Sequence, residues 1–270
     1  WIPSDTEGRT HLFTDYPNAA TDAPESPSGS GKPGHLKTNE TALTYDRLRS
    51  MAIAAKTPDS KYNTEYWTNE LVEGLALMAQ IYRRYDGFNG STSNVPYGSG
   101  YDWCMSTPQR YVDILTLLWE DLDPAVREDY CETISYYNWR LDGETGANRV
   151  WRAATIMIVG VLQKDAAKIR SAQEALIASG AHVFLPATSG DGFYADGSFI
   201  QHSYYAYTGG YGKAFIVTMA PMVAVLAGTD YAIQYEDGAE KMFFNAVFDS
   251  YEPFLYNTGM SIGDSASQVA

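Results

Sequence analysis

Residues 107–140 read TPQRYVDILTLLWEDLDPAVREDYCETISYYNWR, and this stretch decides the fold. Thr107-Pro108 offers a helix N-cap followed by proline at the first helical position, where a missing N–H is no loss. Ile114, Leu115, Leu118 and Trp119 then recur at helical spacing and give the segment one apolar face. Asp121–Pro124 turns the chain, and a second helix is expected from about Ala125 to Arg140. Two amphipathic helices joined by so short a turn form an αα-hairpin.

The same rhythm extends in both directions. Upstream, Trp67, Leu71, Leu75, Met78 and Tyr82 form one stripe, and Leu43, Leu48, Met51 and Ala55 form another, ended by Thr57-Pro58. Downstream, helices are expected near 148–163, 165–179, 213–226 and 238–250, and no segment reads as a β-strand pair. Residues 1–40 are polar and carry Pro24, Pro27, Gly29, Gly31, Pro33 and Gly34, so they are expected to form an extended surface loop. The expected class is all-α: an incomplete (α/α) toroid of αα-hairpins over 41–270, behind a loop segment at 1–40.

Composition narrows the function. With 19 Lys+Arg against 33 Asp+Glu the 270-residue chain carries −14. It therefore lacks the broad basic face that nucleic-acid phosphates require. No unbroken run of about 18 apolar residues exists, which argues against a membrane-spanning helix. The 21 Tyr, 10 Phe and 6 Trp point to carbohydrate, because sugar rings stack on aromatic faces while a phenol supplies a hydrogen bond. Cys104 and Cys131 make neither a disulfide framework nor a metal-type spacing, and their unequal distances from the 121–124 turn argue against a bridge. No metal or cofactor is expected. The start at Trp1, with no basic or apolar leader, reads as a mature or trimmed chain.

Two stretches carry chemistry. Residues 191–212, DGFYADGSFIQHSYYAYTGGYG, set His202 and Tyr211 in a glycine-rich context that lets side chains and backbone approach a ligand closely. Residues 145–152, TGANRVWR, place Thr145 as a plausible N-cap, Asn148 at the third helical position, and Arg149 and Arg152 three apart. A helix N-terminus has free N–H groups and a positive dipole end, so it favours a carboxylate. The plainer alternatives are a hydrogen-bonded structural His with packing Tyr, and an ordinary capped helix with solvated Arg.

Together these segments resemble polysaccharide lyase family 8, the hyaluronate, chondroitin AC and xanthan lyases. Arg9, Leu12, Phe13 and Asp15 are similar to the family's opening segment. Residues 45–52 with 57–62 are similar to its first helix and exit, and 146–150 and 191–212 are the most specific matches. The resemblance implies the α-helical catalytic half of a secreted, extracellular enzyme, with the family's C-terminal β-sheet domains absent from this chain, which reads as a partial or processed piece. It implies cleavage beside a uronate of an acidic polysaccharide by β-elimination. Asn148 matches the family's carboxylate-binding position, and His202 and Tyr211 match its proton-transfer pair, with Tyr211 in the principal role. A Tyr pKa near 10 would have to be lowered by cationic neighbours for that role. Tyr101 and Trp103 are the expected stacking residues; Arg149, Arg152, Gln201 and Tyr207 are the expected further substrate contacts. Two departures stand out. Gly100 and Cys104 replace the leading Trp and the Glu of the family's aromatic patch, and residues 261–267 contain no Arg where the family carries an Arg-rich stretch. Two other classes compete: a glycoside hydrolase using Asp102 with Asp196 or Asp191, and a non-catalytic glycan-binding homologue.

Overall fold

The computed structural model describes residues 1–25, 32–178, 182–233, 244–252, 255–256 and 259–260. The chain divides into two compact units, Trp1–Arg140 with Leu162–Lys164, and Leu141–Val161 with Asp165–Ala270.

The first unit is helical. It holds α1 (Lys32–Lys56), α2 (Glu65–Ile81), α3 (Thr107–Leu118) and α4 (Pro124–Asn138). Helix α1 packs on α2 and α3, and α3 packs on α4, as the hairpin reading requires. Local chemistry sets the ends. The Thr64 side chain caps α2 by accepting from the Trp67 N–H, and Asp123 caps α4 by accepting from Ala125 N at 2.8 Å, with Pro124 just inside.

Two boundaries differ from the sequence reading. Helix α1 begins at Lys32, inside the expected loop, because Pro33 and Gly34 fall in the first turn, where proline removes no intrahelical bond. Thr107 is not a cap: a π-helical turn, Asp102–Ser106, runs directly into α3. Residues 1–25 contain no helix, yet they are more than surface wrapping. Leu12, Phe13, Ala19 and Ala20 are buried, and the Trp1 indole N–H donates to Glu70 at 2.8 Å.

Much of the tyrosine excess lies in this unit's core. Tyr45, Tyr82, Tyr97, Tyr111 and Tyr137 are buried around Trp103, with Tyr82 stacked on the Trp103 ring at 5.0 Å and Tyr137 tilted against it at 4.9 Å. Three polar tips of this cluster reach backbone. Tyr82 Oη donates to the Trp103 carbonyl at 2.6 Å, Tyr137 Oη to the Arg83 carbonyl at 2.6 Å, and the Trp103 indole to the Tyr97 carbonyl at 2.9 Å. Aromatic rings with satisfied polar groups are among the most effective core fillers. Cys104 and Cys131 are also buried in this unit, as thiols.

The second unit holds α5 (Gly146–Gln163, but for its last two residues), α6 (Ala166–Leu176) and α7 (Lys213–Leu226), together with small strands the sequence did not announce. Strands β1 (Gly192–Phe193), β2 (Phe199–Gln201) and β3 (Tyr205–Ala206) form an antiparallel sheet in that order, with Phe193 opposite Phe199 and Gln201 opposite Tyr205. Strands of two or three residues are too short to show a period-two pattern, so alternation could not reveal them. A second ribbon pairs β4 (Leu255–Tyr256) with β5 (Gly259–Met260). Of the helix expected over 238–250, the first six residues lie outside the described ones; 244–246 are helical and Val247–Tyr251 form a π-helical turn.

Thr208–Leu226 has a mean hydropathy of 1.3 and is long and apolar enough, by length and composition, to cross a membrane. No unbroken apolar run marks it, because Thr, Gly, Tyr, Lys and Pro interrupt the sequence while the average stays high. Only 28% of that window is buried within the chain.

Candidate active site

The residues of the two chemical stretches come together in the second unit. Strands β1 and β2 are joined by a turn in which Gly197 adopts φ +86° and its N–H donates to the Tyr194 carbonyl at 3.0 Å. Phe199 is fully buried against Phe193 and Phe215, which anchors the sheet. The chain leaves β2 through His202 and Ser203, both left-handed at φ +54° and +70°, before entering β3. It then passes through a π-helical turn, Thr208–Gly212, into α7. Gly210 lies so close to the Tyr207 ring that a Cβ there would sit 2.7 Å from it, so only glycine lets the turn fold over that ring.

This path brings His202, Tyr207 and Tyr211 into one cluster. The His202 and Tyr211 rings meet edge-to-face at 5.0 Å, Tyr207 and Tyr211 at 5.0 Å, and His202 and Tyr207 at 6.4 Å. His202 is exposed, whereas Tyr207 and Tyr211 are half-buried. Tyr211 also packs on Trp151 of α5 at 5.6 Å. Asn148 precedes Trp151 by three residues, so it occupies the same helix face one turn nearer the N-terminus. Its Oδ1 is buried with no hydrogen-bond partner among the described residues, which leaves the amide with unused bonding capacity.

The other expected contacts are placed differently. Arg149 is buried and turned toward main chain: Nε donates to the Glu144 carbonyl at 2.7 Å, and Nη1 and Nη2 to those of Ala175 and Asp142 at 2.9 and 3.3 Å. Burial moves its pKa down, yet a guanidinium remains charged. Arg152 is fully buried, with its Nη2 3.6 Å from Glu144. The two Arg therefore brace the start of α5 from within and do not form an open positive pocket. Buried cations need fixed acceptors: the Asp142, Glu144 and Ala175 carbonyls provide them for Arg149, and the Glu144 carboxylate faces Arg152.

Gln201 is likewise a structural residue. It is 1% exposed, its Oε1 accepts from Ala147 N at 3.1 Å and its Nε2 donates to Asp191 at 2.6 Å. It caps the N-terminus of α5 from outside the helix, while Thr145 donates its hydroxyl to Asp191 at 2.6 Å. Gly146 makes this possible. It adopts φ +52°, and a Cβ there would meet Gln201 Oε1 at 2.5 Å.

In the first unit the two expected stacking residues separate. Trp103 is 3% exposed, at the centre of the aromatic core, and is closed to a ligand. Tyr101 is 46% exposed. Asp102 is buried, and burial raises its carboxyl above the usual carboxylate range. Residues 261–267 lie outside the described residues. The sequence reading underrated Asp191 and Trp151. Asp191 opens the most specific stretch, and Trp151 stands one turn from Asn148, which are the signals that could have marked them.

The chain is 35% identical over 227 residues to a xanthan lyase from Bacillus sp. (strain GL1), covering 84% of this chain and 23% of that protein. It is 33% identical over 229 residues to a hyaluronate lyase from Thermasporomyces composti, covering 83% and 28%. The chain thus spans about a quarter of the length of these curated relatives. Among solved structures, the Paenibacillus xanthan lyase matches with a TM-score of 0.76 at 28% identity, over 96% of this chain and 22% of that one. The Streptomyces coelicolor chondroitin AC lyase in complex with chondroitin sulphate matches with 0.75 at 27%, over 86% and 31%. The family model described as polysaccharide lyase family 8, N terminal alpha-helical domain, matches residues 7–265, and the chain belongs to that family.

Proposed function

We propose that this chain is the helical part of an extracellular enzyme that cleaves a uronate-containing acidic polysaccharide by β-elimination. The observation that carries the reading is the His202–Tyr211 pair, rings 5.0 Å apart, with Tyr211 packed on the α5 face that also bears Asn148. The C5 proton of a uronate is a very weak acid, so the carboxylate beside it must be stabilised as charge develops. The Asn148 amide and the positive end of α5 serve that purpose. Ionised Tyr211 takes the C5 proton. The C5–H electrons form the C4–C5 double bond, the C4–O bond breaks, and the Tyr211 phenol returns the proton to the leaving oxygen. His202 shares in ionising Tyr211 or in holding the carboxylate. No water is consumed.

The relatives' names, xanthan, hyaluronate and chondroitin AC lyase, support an acidic glycan as the substrate class. The deciding experiment offers the full chain hyaluronan, chondroitin, xanthan, alginate and glucuronan in turn, and follows ultraviolet absorbance from the unsaturated uronate end. Growth of that absorbance supports the lyase. New reducing ends without it would indicate hydrolysis, and glycan binding with no new ends a non-catalytic homologue.

A further inference from the structure

We propose that Asp191 is a positioning residue whose carboxylate latches the left-handed His202–Ser203 turn to the start of α5, and so sets where the imidazole stands against Tyr211. This rests on the lyase reading above for its kinetic consequences only.

The turn needs a latch. His202 and Ser203 are consecutive non-glycine residues at positive φ, a conformation in which Cβ crowds the backbone. Such residues persist where the surroundings over-determine them, and they concentrate at functional sites. Among the described residues no hydrogen bond holds the His202 ring. Its position follows from its own backbone and from its contacts with Tyr207 and Tyr211.

Asp191 supplies the constraint. It lies one residue before the Gly192–Ile200 pair, opposite Gln201. Its Oδ1 accepts from the Ser203 N–H at 2.6 Å, and its Oδ2 accepts from Gln201 Nε2 and Thr145 Oγ1, each at 2.6 Å. Gln201 in turn accepts from Ala147 N at 3.1 Å. One carboxylate thus ties three places together: the strained turn, the end of β2 and the first turn of the helix bearing Asn148. Bonds to an ionised acceptor are the strong ones, and three converging donors leave the group little freedom. Gly146 leaves the room this arrangement needs, since a Cβ there would also lie 2.9 Å from Asp191 Cβ.

The test uses the full chain and two readouts, amide hydrogen exchange at Ser203 and steady-state elimination. In Asp191→Ala, Ser203 exchange should quicken by about tenfold or more as its acceptor is lost. The kcat should fall on the order of 10²-fold through misplacement of the imidazole, with KM within about twofold. Adding Ser203→Gly to that variant should recover about tenfold in kcat, since glycine adopts the left-handed turn without the steric penalty. A general loss of stability would not be relieved by a more flexible residue. Should Asp191→Ala fail to fold, Asp191→Asn keeps an acceptor for Ser203 but sets an amide NH2 against that of Gln201, and a smaller kcat loss with the same KM is expected.

Unchanged Ser203 exchange together with unchanged kcat would overturn the proposal. So would a kcat loss that Ser203→Gly leaves untouched while the Ser203 amide stays protected. If the wild-type chain eliminates no polysaccharide, the lyase reading fails, and exchange decides the latch by itself. A Ser203 amide protected in wild type and unprotected in Asp191→Ala upholds it; equal rates overturn it.

Discussion

Each unit leads the chain through a π-helical turn into a helix, Asp102–Ser106 into α3 and Thr208–Gly212 into α7, and each gathers aromatic rings around that turn. The outcomes are opposite. In the first, all five turn residues are buried, Trp103 is enclosed by tyrosines, and the phenols of Tyr82 and Tyr137 donate to backbone carbonyls. In the second, three of the five turn residues are glycine, Tyr211 stays half-buried, and its neighbour His202 is exposed. The backbone device is shared, and the side chains around it decide its use. Bulky neighbours convert aromatic rings into core, whereas glycines leave them uncovered for a ligand.

The contrast is most directly broken at Tyr211. Tyr211→Phe removes only a hydroxyl, so elimination should fall by about 10³-fold or more while unfolding free energy stays within about 0.5 kcal/mol, measured by the ultraviolet assay and by denaturant titration. A variant that retains activity would show that the second cluster is packing, like the first. Trp103→Ala should do the reverse in kind, lowering stability by about 3–5 kcal/mol in urea because a buried indole leaves a cavity. A stable variant with weakened glycan binding would instead restore Trp103 as a stacking residue.

Tyr82→Phe tests the polar side of the same core. It leaves the buried Trp103 carbonyl without its 2.6 Å donor, and a loss of about 1–3 kcal/mol is expected. The gentlest probe is alkaline titration. Burial pushes Tyr130 up to about 12 and holds Tyr137 higher still, so these phenols should ionise well after exposed tyrosines near 10 in ultraviolet difference spectra. In the unfolded chain the same groups lose their protons near 10. Between about pH 10 and 12 the folded state therefore holds more protons, and stability falls as pH rises through that window. A core that titrates uniformly near 10 would mean its tyrosines are open to solvent.

The helices were legible because their signals are local. Thr64, Asp123 and Asp165 precede apolar faces of helical period, and each caps the helix predicted after it. The catalytic candidates Asn148, His202 and Tyr211 were legible from the resemblance of residues 146–150 and 191–212. Gln201, Arg149 and Trp103, expected as substrate contacts, are buried instead, for one shared reason. A side chain's direction depends on partners remote in sequence: Ala147 for Gln201, Ala175 for Arg149, and Tyr137 for Trp103. The aromatic excess likewise suggested sugar binding, and part of the first unit's share, Tyr45, Tyr82, Tyr97, Trp103, Tyr111 and Tyr137 among it, proves to be core.

By itself the sequence determined the helical class, the hairpin turns and the family, since periodicity and motif spacing are properties of contiguous residues. Only the tertiary structure decided which polar and aromatic groups face inward. It buried the two arginines that the family resemblance had marked as substrate contacts. It also joined Asp191, Gln201, Ser203 and Thr145 across 58 residues of chain, from 145 to 203. Burial and hydrogen-bond partnership are set by what folds alongside a residue, and one-dimensional order carries no direct record of that.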